Sequence, residues 1–560
     1  MNDDVVKSPQ LNKDILDRID GLRNQSSAES LRQVEESVLA NIKDTTSKAT
    51  RRKRSTPSIG EVADFIRNDL AFAEGNVKFR DVGTVQHIGN GVATLSGLPH
   101  VKTDGLVEFS TGVRGLVLNL DHNHLDVILL GPSEGISGGA LVVSVGERLT
   151  VPVGPRVVGR ILNALGDPLD EGGSVFASDF WVLERVPPSI VDREPVHEPL
   201  QTGTKIIDAL LPIGKGQREL IVGDRQTGKT SLAVDAILNQ AGKDVLCIYV
   251  AVGQKKSSTL AVIQTLQKHG AMRYTTVVMS SPDDPPAMRY LAPYTGCTMA
   301  EYLLEMGNDV LIVYDDLTKH ADSYRELSLL LRRSPGREAY PGDIFYLHSR
   351  LLERACKVKD GASITALPIV TTQRGNISAY IPTNLISITD GQIVLDADQF
   401  NRGVKPAIDI GMSVSRVGGA AQTKAMRTLS GDLRLQIAQF EEVARFARFG
   451  TDIDESTKQQ IETGQRLQVI MQQRVHAPLS LGNQVFSLFL AVNEYLNEIP
   501  LRDIPKFERG FQQYINRKAP EIEVKLNSEG LLTEKMVKTI KKQISAYKEE
   551  WDQAKGKDIL

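Results

Sequence analysis

The sequence predicts a multidomain α/β protein with an N-terminal small β-barrel, a central domain built on a parallel sheet, and a C-terminal helical bundle. Its 560 residues exceed what one hydrophobic core usually holds, about 250–300 residues. Between about residues 151 and 422, short apolar runs alternate with helical patterns, which is typical of a parallel sheet covered by helices. Brief strands bounded by glycine precede this region, and helical periodicity follows it.

The composition is that of an ordinary soluble globular protein, with 41% hydrophobic and 24% charged residues. A net charge of -3 gives no general attraction to nucleic acid or anionic lipid. Cys247, Cys297 and Cys356 are far apart and lack metal-ligand spacing, which favours small core residues in a reducing compartment. The sequence contains no run of about 18 apolar residues and no secretory signal pattern, so we expect a cytosolic or peripheral protein.

Residues 1–56 are predicted to form an N-terminal extension that is first helical and then basic. Apolar residues recur there at helical spacing, with Ile15, Ile19 and Leu22 on one face and Leu31, Val34, Val38 and Ile42 on another. The extension ends in the basic run Arg51-Arg52-Lys53-Arg54. Such a run is either a solvated hinge or a docking patch for RNA or lipid, and we favour the hinge.

Residues 57–150 are predicted to form a short leading helix followed by the β-barrel. The predicted strands are brief and bounded by Gly, Asn or Asp, a pattern that suggests a small antiparallel barrel. They cover residues 82–88, 91–95, 105–109, 115–120 and 125–130.

Residues 151–422 contain the predicted parallel strands, and residues 423–560 form the predicted helical domain. The strand-like apolar runs are 218–222, 245–250, 276–279, 310–314 and 364–370. In the helical domain, Leu433, Ile437, Phe440 and Ala444 repeat at helical spacing, and further segments cover 455–474, 482–497 and 533–552. No short repeat is visible in the sequence.

The strongest functional motif has two glycines separated by four residues and followed by Lys and Thr. It consists of Gly223, Asp224, Arg225, Gln226, Thr227, Gly228, Lys229 and Thr230. An apolar run precedes it and a helical run follows, so backbone N–H groups and a helix N-terminus surround one point where a polyphosphate can sit. We expect Lys229 to reach the terminal phosphates and the Thr230 hydroxyl to bind magnesium. The motif predicts a nucleoside triphosphate site, and a plain glycine turn is the alternative.

A second chemical element is the carboxylate at the end of the apolar run 310–314. A strand that ends in a carboxylate delivers a negative group to magnesium beside a phosphate loop, usually through water. Apolar runs ending in Asp are common, but this one follows the loop within the same alternating region. We favour Asp315 as the metal-side carboxylate, with Asp316 as the alternative.

Long motifs in the central domain carry a resemblance to a known family. Besides residues 223–230, they are Tyr-Asp-Asp-Leu-Thr-Lys at 314–319, Leu-Leu-Leu-Arg-Arg-Ser-Pro-Gly-Arg-Glu-Ala-Tyr-Pro-Gly-Asp at 329–343, Ser-Ala-Tyr-Ile-Pro-Thr-Asn at 378–384, and Pro-Ala-Ile-Asp-Ile-Gly-Met-Ser-Val-Ser-Arg-Val-Gly at 406–418. Together they resemble the alpha subunit of the rotary, F-type ATP synthase. The similarity extends from about residue 57 to the C-terminus.

This resemblance implies a β-barrel crown, a RecA-like nucleotide-binding domain and a helical bundle. It also implies that the protein binds ATP or ADP with Mg²⁺ and alternates with beta subunits in a three-plus-three ring. The central-stalk gamma subunit and the peripheral-stalk delta and b subunits are the other implied partners. The implied location is peripheral, on the cytoplasmic face of a bacterial membrane, with no nucleic acid expected.

The residue at position 254 bears on whether the site cleaves ATP. Hydrolysis needs a group that orients or deprotonates the attacking water, and the family's catalytic beta subunit has a glutamate at this place. Here the residue is Gln254, which cannot accept a proton. A glutamine can still position water, so this residue alone is not decisive. Together with the phosphate loop, whose sequence resembles that of the alpha subunit, Gln254 predicts a site that binds Mg-ATP without hydrolysing it.

Arg416 matches the arginine finger that the family's alpha subunit inserts into the neighbouring beta subunit's site. A planar, permanently charged guanidinium can neutralise the charge that develops on the transferring phosphoryl group. For a lone arginine in a loop, a surface salt bridge would be the ordinary explanation. The surrounding Ser-Val-Ser-Arg-Val-Gly motif favours the finger.

The resemblance also assigns Phe400, Lys405 and Gln473 to the nucleotide site, near the base. Lys405 stands where the family commonly has arginine. Two other functions share the core architecture: a nucleic-acid motor, which the near-neutral charge opposes, and a self-sufficient export ATPase, for which we would expect glutamate at position 254. We therefore predict a non-catalytic, regulatory subunit of a proton- or sodium-transporting ATP synthase.

Overall fold

The computed structural model describes residues 80–447 and 455–557. The predicted extension, residues 1–56, and the short helix predicted before the barrel lie outside the described residues. Within the described part of the protein, no helix combines the length and apolar character that a membrane span requires. The predicted fold class is confirmed, with a barrel, a sheet domain and a helical domain following one another in that order.

The first described domain is a closed antiparallel barrel. Its strands are β1 (Val82–Gly89), β2 (Val92–Gly97), β3 (Gly105–Phe109), β4 (Arg114–Leu120), β5 (Leu125–Leu129) and β6 (Leu141–Arg148), in the spatial order β1-β2-β5-β4-β3-β6. Val107, Val117 and Val127 are fully buried in its interior. Strand β6 is not among the strands predicted from the sequence, and it closes the barrel by pairing with both β1 and β3.

The central domain is built on a mostly parallel sheet. Its strands are β7 (Thr150–Val153), β8 (Ile161–Leu162), β9 (Asp179–Val182), β10 (Leu220–Asp224), β11 (Val245–Val252), β12 (Thr275–Ser280), β13 (Asp309–Asp315), β14 (Ile364–Thr372), β15 (Gly391–Leu395) and β16 (Ile408–Ser415). The sheet has the order β16-β15-β10-β14-β13-β11-β12-β8, while β7 and β9 pair separately.

Helices cover both faces of this sheet. They are α1 (Lys205–Leu210), α2 (Lys229–Leu238), α3 (Lys256–Lys268), α4 (Pro286–Glu305), α5 (Leu317–Leu330), α6 (Ile344–Leu352), α7 (Tyr380–Ile388) and α8 (Ala397–Asn401). Strands buried on both faces read as continuous apolar runs, which is why β10 to β14 are predictable. Their carboxyl ends meet at one edge, where the loop after β10 begins.

One edge of the sheet departs from the predicted parallel arrangement. Strand β16 runs antiparallel to β15, with Leu395 opposite Ile408 and Gly391 opposite Ser415. A parallel partner would need a crossover of about a dozen residues or more, usually with a helix that packs on the sheet. The twelve residues between these strands contain only the five-residue helix α8, about 7.5 Å long, which is too short to run back along the face of the sheet, so the polypeptide turns back beside β15.

The C-terminal domain is helical. It contains α9 (Lys424–Ser430), α10 (Leu433–Ala447), α11 (Glu455–Met471), α12 (Leu481–Val492), α13 (Ile504–Lys518), α14 (Pro520–Glu529) and α15 (Glu534–Lys557). Helix α12 ends five residues before the predicted limit, at the cap residue Asn493. Helices α13 and α14 are not among the predicted segments, although each has a proline in its first turn, the usual place for proline in a helix.

A buried ion pair joins the helical domain to the central domain. Lys205, in α1, lies 2.5 Å from the carboxylate of Glu508, in α13, and both side chains are buried. Glu508 also accepts a hydrogen bond from Ser487 at 2.6 Å. Because a buried charge is tolerated when it is paired and hydrogen-bonded, this contact fixes the two domains against each other.

Candidate functional site

The phosphate-loop motif forms a tight turn between β10 and α2. Gly228, immediately before α2, has a φ of 97°, a conformation that side chains disfavour. A Cβ on Gly223 would lie 2.8 Å from the carbonyl oxygen of Leu395 in β15, so only glycine fits that close approach. The two glycines of the motif therefore have separate physical reasons, one conformational and one steric.

Lys229 lies across the loop that precedes it. Its ammonium donates hydrogen bonds to the carbonyl oxygens of Gly223 at 2.8 Å and Asp224 at 2.5 Å. Burial lowers the pKa of Lys229, and the nearby carboxylates of Asp316 and Asp315 act in the opposite direction. The loop thus holds a buried cation at the N-terminus of a helix, where both the cation and the helix dipole attract an anion.

Asp315 is the carboxylate that meets the loop. Its Oδ2 atom accepts hydrogen bonds from the Thr230 hydroxyl at 2.6 Å and the Tyr249 hydroxyl at 2.9 Å. Its Oδ1 atom accepts one from the Gln254 amide at 2.7 Å. A hydroxyl and a carboxylate so close together, beside a phosphate loop, are the donor types with which Mg²⁺ is commonly held.

The alternative carboxylate, Asp316, has a different environment. It caps α5 by accepting the backbone N–H of Lys319 at 2.9 Å, and it accepts the Thr371 hydroxyl at 3.0 Å. Burial, and then the neighbouring Asp315, raise the pKa of Asp316. Asp316 lines the same cavity, but its oxygens are used to hold the helix and β14, whereas those of Asp315 face Thr230.

The amide of Gln254 is bound at both ends. Its Nε2 donates to Asp315, and its Oε1 accepts from the Lys319 ammonium at 2.7 Å. This orientation of the amide is the only one that matches a donor to the carboxylate and an acceptor to the ammonium. Gln254 therefore links a carboxylate and a cation, and it has no group that could take a proton from water.

These groups surround one cavity of about 1010 Å³, large enough for a nucleotide. Of the predicted site residues, its wall contains Arg225, Gln226, Thr227, Gly228, Lys229, Thr230, Gln254, Asp315, Phe400, Lys405 and Gln473. Gly223 and Asp224 are not in the wall. The Asp224 carboxylate lies beneath the loop, where it accepts hydrogen bonds from Thr372 at 2.6 Å and the Gly375 N–H at 2.9 Å.

The wall of the cavity also carries an aromatic ring and a cation. The Lys405 ammonium lies 4.4 Å from the centre of the Phe400 ring, a cation–π contact. The Gln473 amide binds the backbone at the boundary of the helical domain, with Gly203 O and Ala477 O each at 2.8 Å. An aromatic face is a suitable platform for a nucleotide base, while Gln473 mainly holds the wall together.

Arg416 lies away from this cavity, directly after β16. Its side chain is exposed, and within the described ranges its guanidinium makes one long hydrogen bond, 3.4 Å, to the carbonyl oxygen of Ile386. Its backbone N–H is fixed more firmly, by Asp390 O at 2.9 Å. The structure thus separates Arg416 from the other predicted site residues.

Two residues of the site are not found from the sequence. Lys319 is the last residue of the motif at 314–319, but its contact with Gln254 depends on the packing of α5 against β11. Tyr249 is in the middle of an apolar strand, so its hydroxyl contact with Asp315 has no sequence signal. A lysine three residues after the strand-end carboxylates is the one clue that could have been used.

Comparison with known proteins agrees with this architecture. The sequence profile of the beta-barrel domain of the ATP synthase alpha/beta family matches residues 78–146. The profile of its nucleotide-binding domain matches residues 203–415, and that of the C-terminal domain of ATP synthase alpha/beta chains matches residues 422–547. The chain belongs to the ATP synthase alpha/beta family. The three matched regions contain the barrel, the phosphate loop and the helical domain respectively.

Within the ATP synthase alpha/beta family, the chain is similar to alpha subunits. It is 47% identical over 500 residues to the ATP synthase subunit alpha of Aquifex aeolicus (strain VF5). That similarity covers 89% of this chain and 99% of the Aquifex protein. The resemblance predicted from the motifs is therefore confirmed.

Proposed function

We propose that this chain is the non-catalytic, regulatory alpha subunit of a rotary, ion-translocating ATP synthase. It binds Mg-ATP or Mg-ADP at its own site and supplies Arg416 to the catalytic site of a neighbouring beta subunit. The chain is then part of an enzyme, the proton- or sodium-transporting ATP synthase, without catalysing hydrolysis itself. Membership of the ATP synthase alpha/beta family supports assembly with beta subunits. The chemistry of the site supports a chain that binds nucleotide while the neighbouring beta subunit catalyses hydrolysis.

The observation that supports a non-catalytic site most strongly is the environment of Gln254. A general base must accept a proton from water, and an amide held between Asp315 and Lys319 cannot do so. A glutamine that positions water must turn its amide toward that water, and here the amide is oriented by its bonds to Asp315 at 2.7 Å and Lys319 at 2.7 Å. The site retains what binding needs but lacks what activation of water needs.

The residues of the cavity fit a magnesium nucleotide. Lys229 and the backbone of the loop would hold the phosphates, while the Thr230 hydroxyl and the Asp315 carboxylate would hold the metal. Magnesium supplies neutralisation of the phosphate charge. Phe400 and Lys405, which line the same cavity, would contact the base. The 2.6 Å contact between Thr230 and Asp315 supports this assignment because it brings both types of donor to one point.

Arg416 suits a role in a different subunit's site. Its guanidinium is exposed and weakly held, whereas its backbone is fixed to Asp390, which in turn bonds Arg218 at 2.9 Å. Because its backbone is already fixed, Arg416 would lose little further conformational entropy when its guanidinium enters the pocket of a neighbouring subunit. Three such chains would alternate with three beta subunits, with gamma, delta and b as further partners.

The proposed location follows from the assembly. The protein would be peripheral, on the cytoplasmic face of a bacterial membrane, and would reach the membrane only through the ion-translocating subunits. No nucleic-acid partner is proposed, since the net charge of -3 gives no general attraction to phosphate backbones.

The test is to purify the full chain without any partner and to measure ATP binding and ATP hydrolysis side by side, with and without single-stranded nucleic acid. We expect saturable binding of Mg-ATP, negligible hydrolysis and no stimulation by nucleic acid. Rapid hydrolysis by the chain alone would contradict the non-catalytic assignment. Failure to bind ATP at all would contradict the nucleotide assignment.

A further inference from the structure

We propose that Lys319 is a second cation for the terminal phosphate of the bound nucleotide and makes this site prefer a triphosphate to a diphosphate. The inference rests on the proposed function, since it requires that the cavity bind a magnesium nucleotide. It adds a residue, Lys319, that the sequence motif of the phosphate loop does not contain. Three properties of Lys319 support it: its side chain lines the cavity, its ammonium bonds a neutral group, and the nearby Asp316 carboxylate does not bind that ammonium.

The backbone of Lys319 is held in place by the start of α5. Its N–H donates to the Asp316 carboxylate at 2.9 Å, the usual helix-capping contact. Its side chain is half-buried and lines the same cavity as Lys229 and Thr230. Gly253 is packed against it, since a Cβ added there would lie 3.5 Å from Lys319 Cδ. The side chain therefore has a fixed origin and a confined path into the cavity.

The ammonium of Lys319 is bonded to a neutral group. Among the described residues, its hydrogen-bond partner is the amide oxygen of Gln254, at 2.7 Å. Two other buried or half-buried lysines of this domain differ. Lys205 is paired with Glu508 at 2.5 Å, and Lys215 with Asp309 at 2.7 Å. A partly desolvated cation with a neutral partner gains more from an added anion than one that is already paired.

The carboxylate of Asp316 is close to this ammonium but is used elsewhere. The charge of Lys319 lowers the pKa of Asp316 against the stronger raising effects of burial and Asp315. The Asp316 oxygens, however, accept the Lys319 backbone N–H and the Thr371 hydroxyl. Asp316 therefore does not bind the Lys319 ammonium directly, and the side chain of Lys319 lines the cavity.

A continuous series of hydrogen bonds places this charge at the terminal-phosphate end. Lys319 bonds Gln254, Gln254 bonds Asp315 at 2.7 Å, and Asp315 bonds Thr230 at 2.6 Å. Thr230 follows Lys229, the residue that addresses the terminal phosphates. Phe400 and Lys405, which line the same cavity, are not part of this series of hydrogen bonds. An added terminal phosphate would therefore meet two ammonium groups, Lys229 and Lys319.

A diphosphate would lose the contact with Lys319 and retain the contacts with the loop. A hydrogen bond between charged groups commonly changes affinity by about tenfold or more. The ratio of the dissociation constants for Mg-ADP and Mg-ATP should therefore depend on residue 319. Affinity for both nucleotides should depend on Lys229.

The experiment measures the dissociation constants of Mg-ATP and Mg-ADP for the full chain and three variants of position 319. Lys319→Gln removes the charge but can still donate an amide hydrogen bond to Gln254, which separates charge from packing. Lys319→Ala removes both, and Lys319→Arg keeps the charge. The matched control is Lys256→Ala, an exposed lysine in α3 that pairs with Asp283.

We expect Lys319→Gln and Lys319→Ala to bind Mg-ATP about tenfold more weakly, with less than about a twofold change for Mg-ADP. Lys319→Arg and Lys256→Ala should stay near the wild-type ratio. Equal weakening of both nucleotides, or no change in Lys319→Gln, would overturn the inference while leaving the proposed function intact. Absence of ATP binding by the wild-type protein would instead overturn the proposed function.

Discussion

The phosphate-loop cavity and the edge strand that ends next to Arg416 use their polar groups in opposite ways. In the cavity, Thr230 and Gln254 each donate a hydrogen bond to Asp315, at 2.6 Å and 2.7 Å. At the edge strand, the Arg416 guanidinium is exposed and makes a single 3.4 Å hydrogen bond to the described residues. Hydrogen bonds between the groups of the cavity hold them in fixed positions, which suits the binding of a ligand. The Arg416 guanidinium is weakly held and exposed, so it is available to another molecule.

The difference extends to the surroundings of each group. The Asp315 carboxylate is buried among residues that fix both of its oxygens. Burial raises the pKa of the nearby Glu219 carboxyl well above its ordinary value, and the Arg416 charge lowers it. Among the described residues, the guanidinium itself is held only by its bond to Ile386, and the side chain is exposed. The molecule thus contains one site whose groups are fixed and one exposed group that is weakly held.

The largest expected effect is on the outward group. In the assembled complex with beta subunits, Arg416→Ala should lower ATPase activity by about a thousandfold or more, because the transferring phosphoryl group loses its external charge. Arg416→Lys should lose most of the activity too, since a point charge does not reproduce a planar fork. Steady-state ATPase assays of the purified complex would measure the loss.

The same variant should leave the protein's own cavity unaffected. The Arg416→Ala variant should bind Mg-ATP with the dissociation constant of the wild type. The control is Arg148→Ala, which removes an exposed arginine from the barrel strand β6 and should also bind Mg-ATP as the wild type does. Normal ATPase turnover by an assembled Arg416→Ala complex would contradict the proposal that Arg416 acts in the catalytic site of the neighbouring subunit.

An intermediate effect is expected from acid, on the helix that carries Lys319. His320, the next residue in α5, is fully buried, and its Nε2 donates to the Tyr290 carbonyl at 3.0 Å, while its Nδ1 faces His348 at 3.3 Å. The pKa of His320 is lowered to about 4 from the ordinary 6.5, mainly by burial, with the bond to the Tyr290 carbonyl acting in the opposite direction and the positive charge of Arg350 in the same direction as burial. The native state therefore excludes a proton that the unfolded state accepts.

The sign of the pH effect follows from that difference. Above about pH 6.5, both states carry neutral His320 and its contribution is fully present. As the pH falls from about 6.5 to about 4, the unfolded state gains a proton first and up to about 3 kcal/mol of stability is lost. Thermal unfolding midpoints of wild type and His320→Gln, recorded across this range, should show a shallower decline for the variant.

His87→Gln is the matched control for this pH effect. It removes an exposed histidine from β1 and should leave the slope of the wild type unchanged. Glutamine at position 320 can still donate to the Tyr290 carbonyl, so that variant tests proton binding and not a lost hydrogen bond. Identical slopes for wild type and His320→Gln would show that His320 is not the group responsible.

The smallest expected effect distinguishes Lys229 from Lys319. Lys229→Ala should weaken Mg-ATP and Mg-ADP alike, by about tenfold to a hundredfold, because the loop lysine serves both nucleotides. Equilibrium binding of a fluorescent nucleotide, displaced by ATP or ADP, would give both constants. A selective loss of ATP affinity in Lys229→Ala would mean that the two lysines have exchanged the roles assigned to them.

Much of the fold could be predicted because its signals are local. The central strands are continuous apolar runs, and the phosphate loop is a contiguous motif, so β10, β11, β13 and β14 and residues 223–230 could be placed from the sequence. The closing strand β6 had a local signal too, because Leu-Val-Val-Ser-Val at 141–145 is a β-branched apolar run, but it is not among the predicted strands. The antiparallel direction of β16 depends on how the polypeptide turns after α8, which periodicity does not encode.

The candidate site divides in the same way. Lys229, Thr230 and Asp315 stand in motifs whose spacing has a chemical reason, and the structure brings all three together. The Lys319 contact with Gln254 joins residues 65 positions apart. Nothing in either segment specifies the other, because the pairing depends on α5 beginning next to the end of β11.

The family, the order of the three domains and the residues that can hold a phosphate all follow from the sequence, because each depends on contiguous residues and their chemistry. Folding in three dimensions was needed to place Gln254 between a carboxylate and an ammonium, and to direct Arg416 outward from a fixed edge. Hydrogen bonding and exposure depend on neighbours in space, and the order of strands in the sheet, not spacing along the sequence, selects those neighbours.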